Sequence, residues 1–307
     1  MAELNNSTSI KTESYSAAII PETGGAQTNN DDSITSKIEG LTQEEYNDPN
    51  KIAVTMADKS APIVVLFGPP SCGKTMTMVR LTRYLKSSYT ISPVRDFRPA
   101  DDVRYQDMCG NFRARISESK AADGNDNISF MLVDVLRNAG QRVCQILEAP
   151  GESYHHPKFP DNDFFRFVYS IINSPNRKIW IIMVEPNWKF DYGMYVDKIK
   201  KLRARMRPSD KVIFLYNKID ATDFVRSPGN INTAMAVKDI EDHYRGVFEP
   251  FRNVNPITRL FKKYNCHFVP FSTGEYHKTN DGSVTYTEGD DVYPAALWNT
   301  IMKCIRG

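Results

Sequence analysis

Ile63-Val64-Val65-Leu66-Phe67-Gly68-Pro69-Pro70-Ser71-Cys72-Gly73-Lys74-Thr75 is the stretch that decides the fold. Five apolar residues read as a buried strand. Gly68, Gly73, Lys74 and Thr75 then fill the fixed positions of G-x-x-x-x-G-K-[ST], a phosphate-binding loop. A helical pattern starts at once, with Met78, Leu81 and Leu85 on one face. Strand, glycine loop and helix start are the context in which such a motif works. Backbone N–H groups at a helix N-terminus bind phosphate oxygens, and the helix dipole reinforces them. Pro69 and Pro70 have no N–H to offer, so the cradle falls to the amides of Ser71, Cys72, Gly73 and Lys74.

Outward from this loop, short apolar runs alternate with helical patterns. A hairpin reads from Ile128–Leu136 and Arg142–Leu147, with its turn at residues 138–140. Strands follow at 178–184, 211–216 and 266–271. Helices follow at 163–172, 190–207 (stopped by Pro208), 235–264 (interrupted near Pro250 and Pro256) and 294–305. A polar hairpin is expected at about 276–292. The alternation predicts an α/β fold: three layers, a mainly parallel sheet flanked by helices. Residues 96–127 read as an irregular, arginine-dotted insertion holding Arg98, Arg104, Arg113 and Arg115, just after Arg95.

The chain has 307 residues, 41% apolar and 25% charged, an ordinary balance for a globular protein. No apolar run has the length of a membrane span and no secretory leader is visible. The five cysteines are scattered, with no Cys-x-x-Cys, so a zinc site or disulfide framework is not expected and a cytoplasmic setting is. Residues 1–60 carry ten acids against four bases. They are expected to be an acidic, mostly disordered extension, with a short helix near Leu41 and Tyr46, ahead of a basic domain at 61–307.

Every candidate motif falls at the C-terminal end of an expected strand, the edge where open α/β sheets bind ligands. Glu148-Ala-Pro-Gly151 closes the hairpin, Asn217-Lys218-Ile219-Asp220 follows the 211–216 strand, and Ser272-Thr273-Gly274 follows the 266–271 strand. Together with the phosphate loop these residues resemble the P-loop GTPases of the translation-factor and Ras-like (TRAFAC) class, over about residues 60–306 and closest to divergent bacterial-type small GTPase domains. The resemblance implies GTP/GDP and Mg²⁺ as cofactors. It places Gly68, Ser71, Cys72, Gly73, Lys74, Thr75 and Gly151 at the phosphates, Asn217, Lys218, Asp220, Ser272 and Thr273 at guanine, and Thr75 and Glu148 at the metal. Lys74 and Glu152 are the implied catalytic residues, the latter following Gly151 where the family orients water.

Physical chemistry supports the same roles. A carboxylate at Asp220 accepts both guanine N1–H and the exocyclic amine, a pair that adenine lacks. The Lys218 stem can lie over a purine face, and Asn217 can tie its loop to the phosphate cradle. Three departures from the resembled pattern stand out. Glu148 is one methylene longer than the family's Asp, and Glu152 stands where Gln or His is usual. No Thr occurs between Thr90 and Thr222 to serve as the first-switch ligand, which leaves Thr90, Ser117, Ser119 and Ser129 as candidates. His155 and His156 read as exposed loop residues. An arginine finger from the 96–127 segment is one option, and a partner-binding insertion is the favoured one. The expected partners are guanine nucleotide and a protein effector or regulator contacting 96–127 and 151–167. Lys198, Lys200, Lys201, Arg203, Arg205 and Arg207 form a basic helix face whose default is solvation rather than contact with nucleic acid or membrane. The expected activity is slow GTP hydrolysis in a nucleotide-state switch. The alternatives are a guanine-nucleotide module without turnover and a P-loop ATPase.

Overall fold

Ile63–Phe67 forms β1 at the centre of a seven-stranded sheet, with all five side chains out of solvent. A strand that is apolar on both sides needs a covering layer on both. The computed structural model describes residues 41–56, 58–117, 130–137, 140–155, 163–186, 192–278 and 284–307. They lie in a compact unit running from Lys37 to Gly307. The readings made for residues 1–40, Ser119, Ser129, the 138–139 turn and His156 lie outside the described residues.

In chain order the elements are α1 (Gln43–Asn47), β1, α2 (Lys74–Leu85), β2 (Thr90–Pro93), α3 (Val103–Ser117), β3 (Met131–Leu136), β4 (Arg142–Glu148), α4 (Arg166–Asn173), β5 (Lys178–Val184), α5 (Tyr192–Arg205), β6 (Lys211–Tyr216), β7 (Val225–Ser227), β8 (Asn230–Ile231), α6 (Thr233–His243), α7 (Pro256–Phe261), β9 (His267–Pro270), β10 (Gly274–Lys278), β11 (Val284–Glu288) and α8 (Val292–Arg306). The sheet order is β2-β3-β4-β1-β5-β6-β9. β4, β1, β5, β6 and β9 run parallel, while β3 is antiparallel to β4 and β2 to β3. The expected three-layer α/β architecture is therefore present. On one face α2 packs against both α3 and α8. On the other face Phe67 stacks on Tyr195 of α5 with ring centroids 6.1 Å apart.

One expectation about organisation is corrected, and the short helix expected near Leu41 and Tyr46 is present as α1. Residues 103–117 are not irregular: they form α3, with Tyr105, Cys109, Phe112 and Ile116 buried at helical spacing. The chain ahead of residue 61 is folded from at least Leu41. Leu41, Ile52 and Met56 join the core, and α1 is capped by a reciprocal Thr42–Glu45 box. Arg98 explains both. Its side chain is buried and bonds Glu45 (2.6 Å), Asp102 (2.9 Å) and the carbonyl of Ala53 (3.1 Å). Arg104 adds a bond to the Leu41 carbonyl at 3.0 Å. Two of the arginines considered as fingers are thus clamps between segments. At the other end of the chain, Pro256 starts α7 rather than interrupting a longer helix, as its fixed φ and missing N–H favour.

Candidate nucleotide site

The loop after β1 is shaped by what presses on it. Ser71 and Gly73 both take left-handed backbone angles, φ 61° and 87°. A β-carbon at position 73 would stand 2.4 Å from Nδ2 of Asn217, so only glycine fits there on both counts. Asn217 is buried at the end of β6, and its Nδ2 donates to the carbonyl of Cys72 at 2.9 Å. The asparagine therefore laces the loop after β6 to the phosphate loop, as expected from the sequence. Its Oδ1 is buried without a hydrogen-bond partner among the described residues. The Cys72 side chain is buried under Gly68, and burial pushes its thiol pKa up, so it fills space and is not a reactive thiolate.

Lys74 is also buried. Its Nζ donates to the carbonyl of Pro69 across its own loop at 2.7 Å. Thr75, the second residue of α2, donates its hydroxyl to Oε1 of Glu148 at 3.0 Å. Glu148 closes β4 and is fully buried, and its Oε2 accepts the amide of Phe130 at 2.7 Å. Burial raises its pKa, opposed first by the nearby charge of Lys74. The extra methylene relative to Asp lets this carboxylate reach the threonine hydroxyl and the Phe130 amide together. A hydroxyl beside a carboxylate is a hard-oxygen donor pair of the kind Mg²⁺ takes alongside phosphate and water oxygens.

Gly151 lies hard against the front of the phosphate loop. A β-carbon there would meet backbone atoms of Pro69 and Pro70 at 2.1–2.5 Å. The turn 151–153 that follows carries Glu152, half-buried and near enough to Glu148 to raise its pKa a little further. His155 differs from expectation. It is half-buried, its ring lies 5.3 Å from Tyr195, and its Nε2 is buried without a hydrogen-bond partner among the described residues. Burial, then Lys198 and Lys74, push its pKa down to about 3. The flanking Tyr154, buried against Phe67 at 4.6 Å, is what draws this turn inward.

At the other end, Lys218 takes φ 56°, pairs with the buried Glu185 after β5 and reaches toward the Ser71 carbonyl at 3.5 Å. Asp220 is exposed in the next turn. Ser272 and Thr273 are buried at the end of β9, and the amide of Ile219 donates to the carbonyl of Phe271 at 3.1 Å, which joins the two loops. A cavity of about 760 Å³ runs between these parts. Ser71, Gly73, Lys74 and Thr75 line one end, and Asn217, Lys218, Asp220, Thr273, Gly274, Glu275 and His277 line the rest. Glu275 and His277 were not anticipated from the sequence, because the polar hairpin carried no motif.

Other expectations are not met. Thr90 pairs with Leu136, whereas Met131 pairs with Glu148, so Thr90 sits at the far end of β3 from the site and cannot serve as a switch ligand. Arg95 bonds Gln106 at 3.0 Å, and Arg113 is exposed on α3. On the basic helix Lys198 is buried near the Phe164 ring, Arg203 bonds the Pro250 carbonyl, Arg205 pairs with Asp163 and Arg207 bonds the Asn173 carbonyl. That face is largely intramolecular structure and not a free cationic surface. Among the described residues no cluster of three His, Cys, Asp or Glu suits a metal, and no helix is long and apolar enough to cross a membrane.

No protein-family model matches the chain, and no curated protein matches it. Solved structures give remote likenesses. A candidate nucleolar GTP-binding protein 1 from Plasmodium falciparum has a TM-score of 0.36 at 12% identity, over 82% of this chain and 89% of that one. A signal recognition particle receptor SRb-GTP/SRX complex from Chaetomium thermophilum has a TM-score of 0.35 at 12% identity, over 69% and 91%. The Roco2 RocCORdC protein of Methanosarcina barkeri, bound to GDP, has a TM-score of 0.28 at 11% identity, over 72% and 45%. Likeness at this level carries no weight for function, which rests on the site.

Proposed function

We propose that this chain binds guanine nucleotides and hydrolyses GTP slowly, as a switch read by protein partners. One observation carries the reading. Asn217 bonds the phosphate loop directly, so a single cavity has the Lys74–Thr75 cradle at one end and the Lys218–Asp220 turn at the other. A nucleotide would lie there with its phosphates at the first end and its base at the second. In the bound state Lys74 leaves the Pro69 carbonyl for the β- and γ-phosphates, and the amides of Ser71 to Lys74 hold the phosphate oxygens. Thr75 and Glu148 would hold Mg²⁺, which when bound neutralises charge developing on the phosphates. Gly151 supports the γ-phosphate end, and Glu152 orients water. Asp220 accepts the guanine edge, and the Lys218 stem covers one purine face.

A second reading, a guanine-nucleotide module without turnover, is favoured by one feature. Gly151 is packed against Pro69 and Pro70 while Lys74 is bonded to Pro69, so protein fills the γ-phosphate side of the loop. Calorimetry and single-turnover hydrolysis separate the readings. The expected result is GDP and GTP binding, with slow phosphate release that Lys74→Ala abolishes. Asp220→Asn is expected to shift preference toward xanthine nucleotides. Equal affinity for ATP would overturn the guanine reading, and GTP binding without phosphate release would leave the second.

A further inference from the structure

In many sites of this shape a loop between the phosphate-loop helix and the next strands covers the nucleoside. Here the described part of that stretch is committed elsewhere. β2 pairs along β3, Phe97, Tyr105 and Phe112 are buried, and Arg98 is clamped to α1. The wall opposite comes from the chain that leaves Thr273. β10 begins at Gly274, and its alternate residues Glu275 and His277 share one face, as strand geometry requires. Both line the cavity that Lys218 and Asp220 line.

We propose that the β10–β11 hairpin is a built-in wall of the nucleoside pocket, with the His277 ring packing on the purine face and Glu275 orienting that ring. This inference rests on the guanine-nucleotide reading above. Nε2 of His277 lies 3.3 Å from a Glu275 carboxylate oxygen. The side chains are 56% and 72% exposed, so both have surface to bury on a ligand. The hairpin itself is anchored. On its opposite face Tyr286 is buried and its hydroxyl bonds the Thr273 carbonyl. Glu288 pairs with Arg83 of α2 at 2.6 Å, and the Gly289 amide bonds the Thr273 carbonyl at 3.1 Å. The wall is thus fixed to both the phosphate-loop helix and the loop after β9, and its His277 ring lines the cavity that Lys218 and Asp220 also line. Stacking of this kind tolerates any purine; the choice of guanine stays with Asp220.

Titration calorimetry with GDP and with inorganic pyrophosphate tests it. His277→Ala is expected to weaken GDP on the order of tenfold and to leave pyrophosphate unchanged. His277→Phe is expected to restore GDP affinity, and all forms should melt at the same temperature because the side chain is half exposed. Unchanged GDP affinity in His277→Ala, or an equal loss for pyrophosphate, overturns the hairpin's role while leaving the guanine reading intact. A wild type that ignores GDP removes both.

Discussion

At position 151 there is no room for a methyl group. The clash would be with the backbone of two prolines, and a proline-stiffened loop has little freedom to retreat. Gly151→Ala is therefore expected to destabilise the protein by about 1–3 kcal/mol and to weaken GDP binding, read from urea midpoints and calorimetry. His155 supplies a second test. The folded state holds its pKa at about 3, against 6.5 for an ordinary imidazole. The unfolded chain takes up the proton near 6.5 and the folded chain does not, so this residue leaves stability flat above that pH. Stability then falls as pH drops toward 3, by at most ~1.4 kcal/mol per pH unit. Urea unfolding across this range should show the slope in wild type and lose it in His155→Gln; an unaltered slope would show that other groups carry it. The strand, glycine loop and helix start at 63–75 were readable in the sequence because each is a local pattern. His155 was not, because nothing local distinguishes a histidine drawn inward by a buried tyrosine from one left in a loop.

Helix α3 carries the lesson for elements. Its buried stripe, Tyr105, Cys109, Phe112 and Ile116, is narrow, and arginines and acids fill the gaps, so composition masked a sound helical period. Arg98, one of five arginines weighed as a finger, is a three-way clamp holding α1 and the chain near Ala53 against the start of α3. Removing it leaves the mostly buried carboxylates of Glu45 and Asp102 without their cation. Arg98→Ala should cost about 3 kcal/mol. Limited proteolysis should then cut within 41–56, which the wild type protects. Arg98→Lys should rescue little, since one ammonium cannot replace a planar fork serving three acceptors. Cutting that is no faster in Arg98→Ala would mean that Leu41, Ile52 and Met56 hold the segment by burial alone.

Across the whole molecule, the parallel strands β1, β4, β6 and β9 end at the same edge; the motifs after β1, β6 and β9 share one cavity, and the β4 motif packs beside it against Pro69 and Pro70. This much followed from element order, since alternating strands and helices leave few topologies. What did not follow was which segment closes on the cavity: the hairpin itself was expected from local pattern, but its docking through Tyr286, Glu288 and Gly289 is tertiary and carries no sequence signature. The single amide of Asn217 on the Cys72 carbonyl gives that cavity a thermodynamic property as well as a shape. It ties the loop after β6 to the phosphate loop, so ordering either end prepares the other. Guanosine and pyrophosphate should then bind with positive cooperativity, and linkage requires that each tighten the other by the same factor. Asn217→Ala should bring that factor close to one while both fragments still bind, so the intact nucleotide would lose more affinity than either fragment alone.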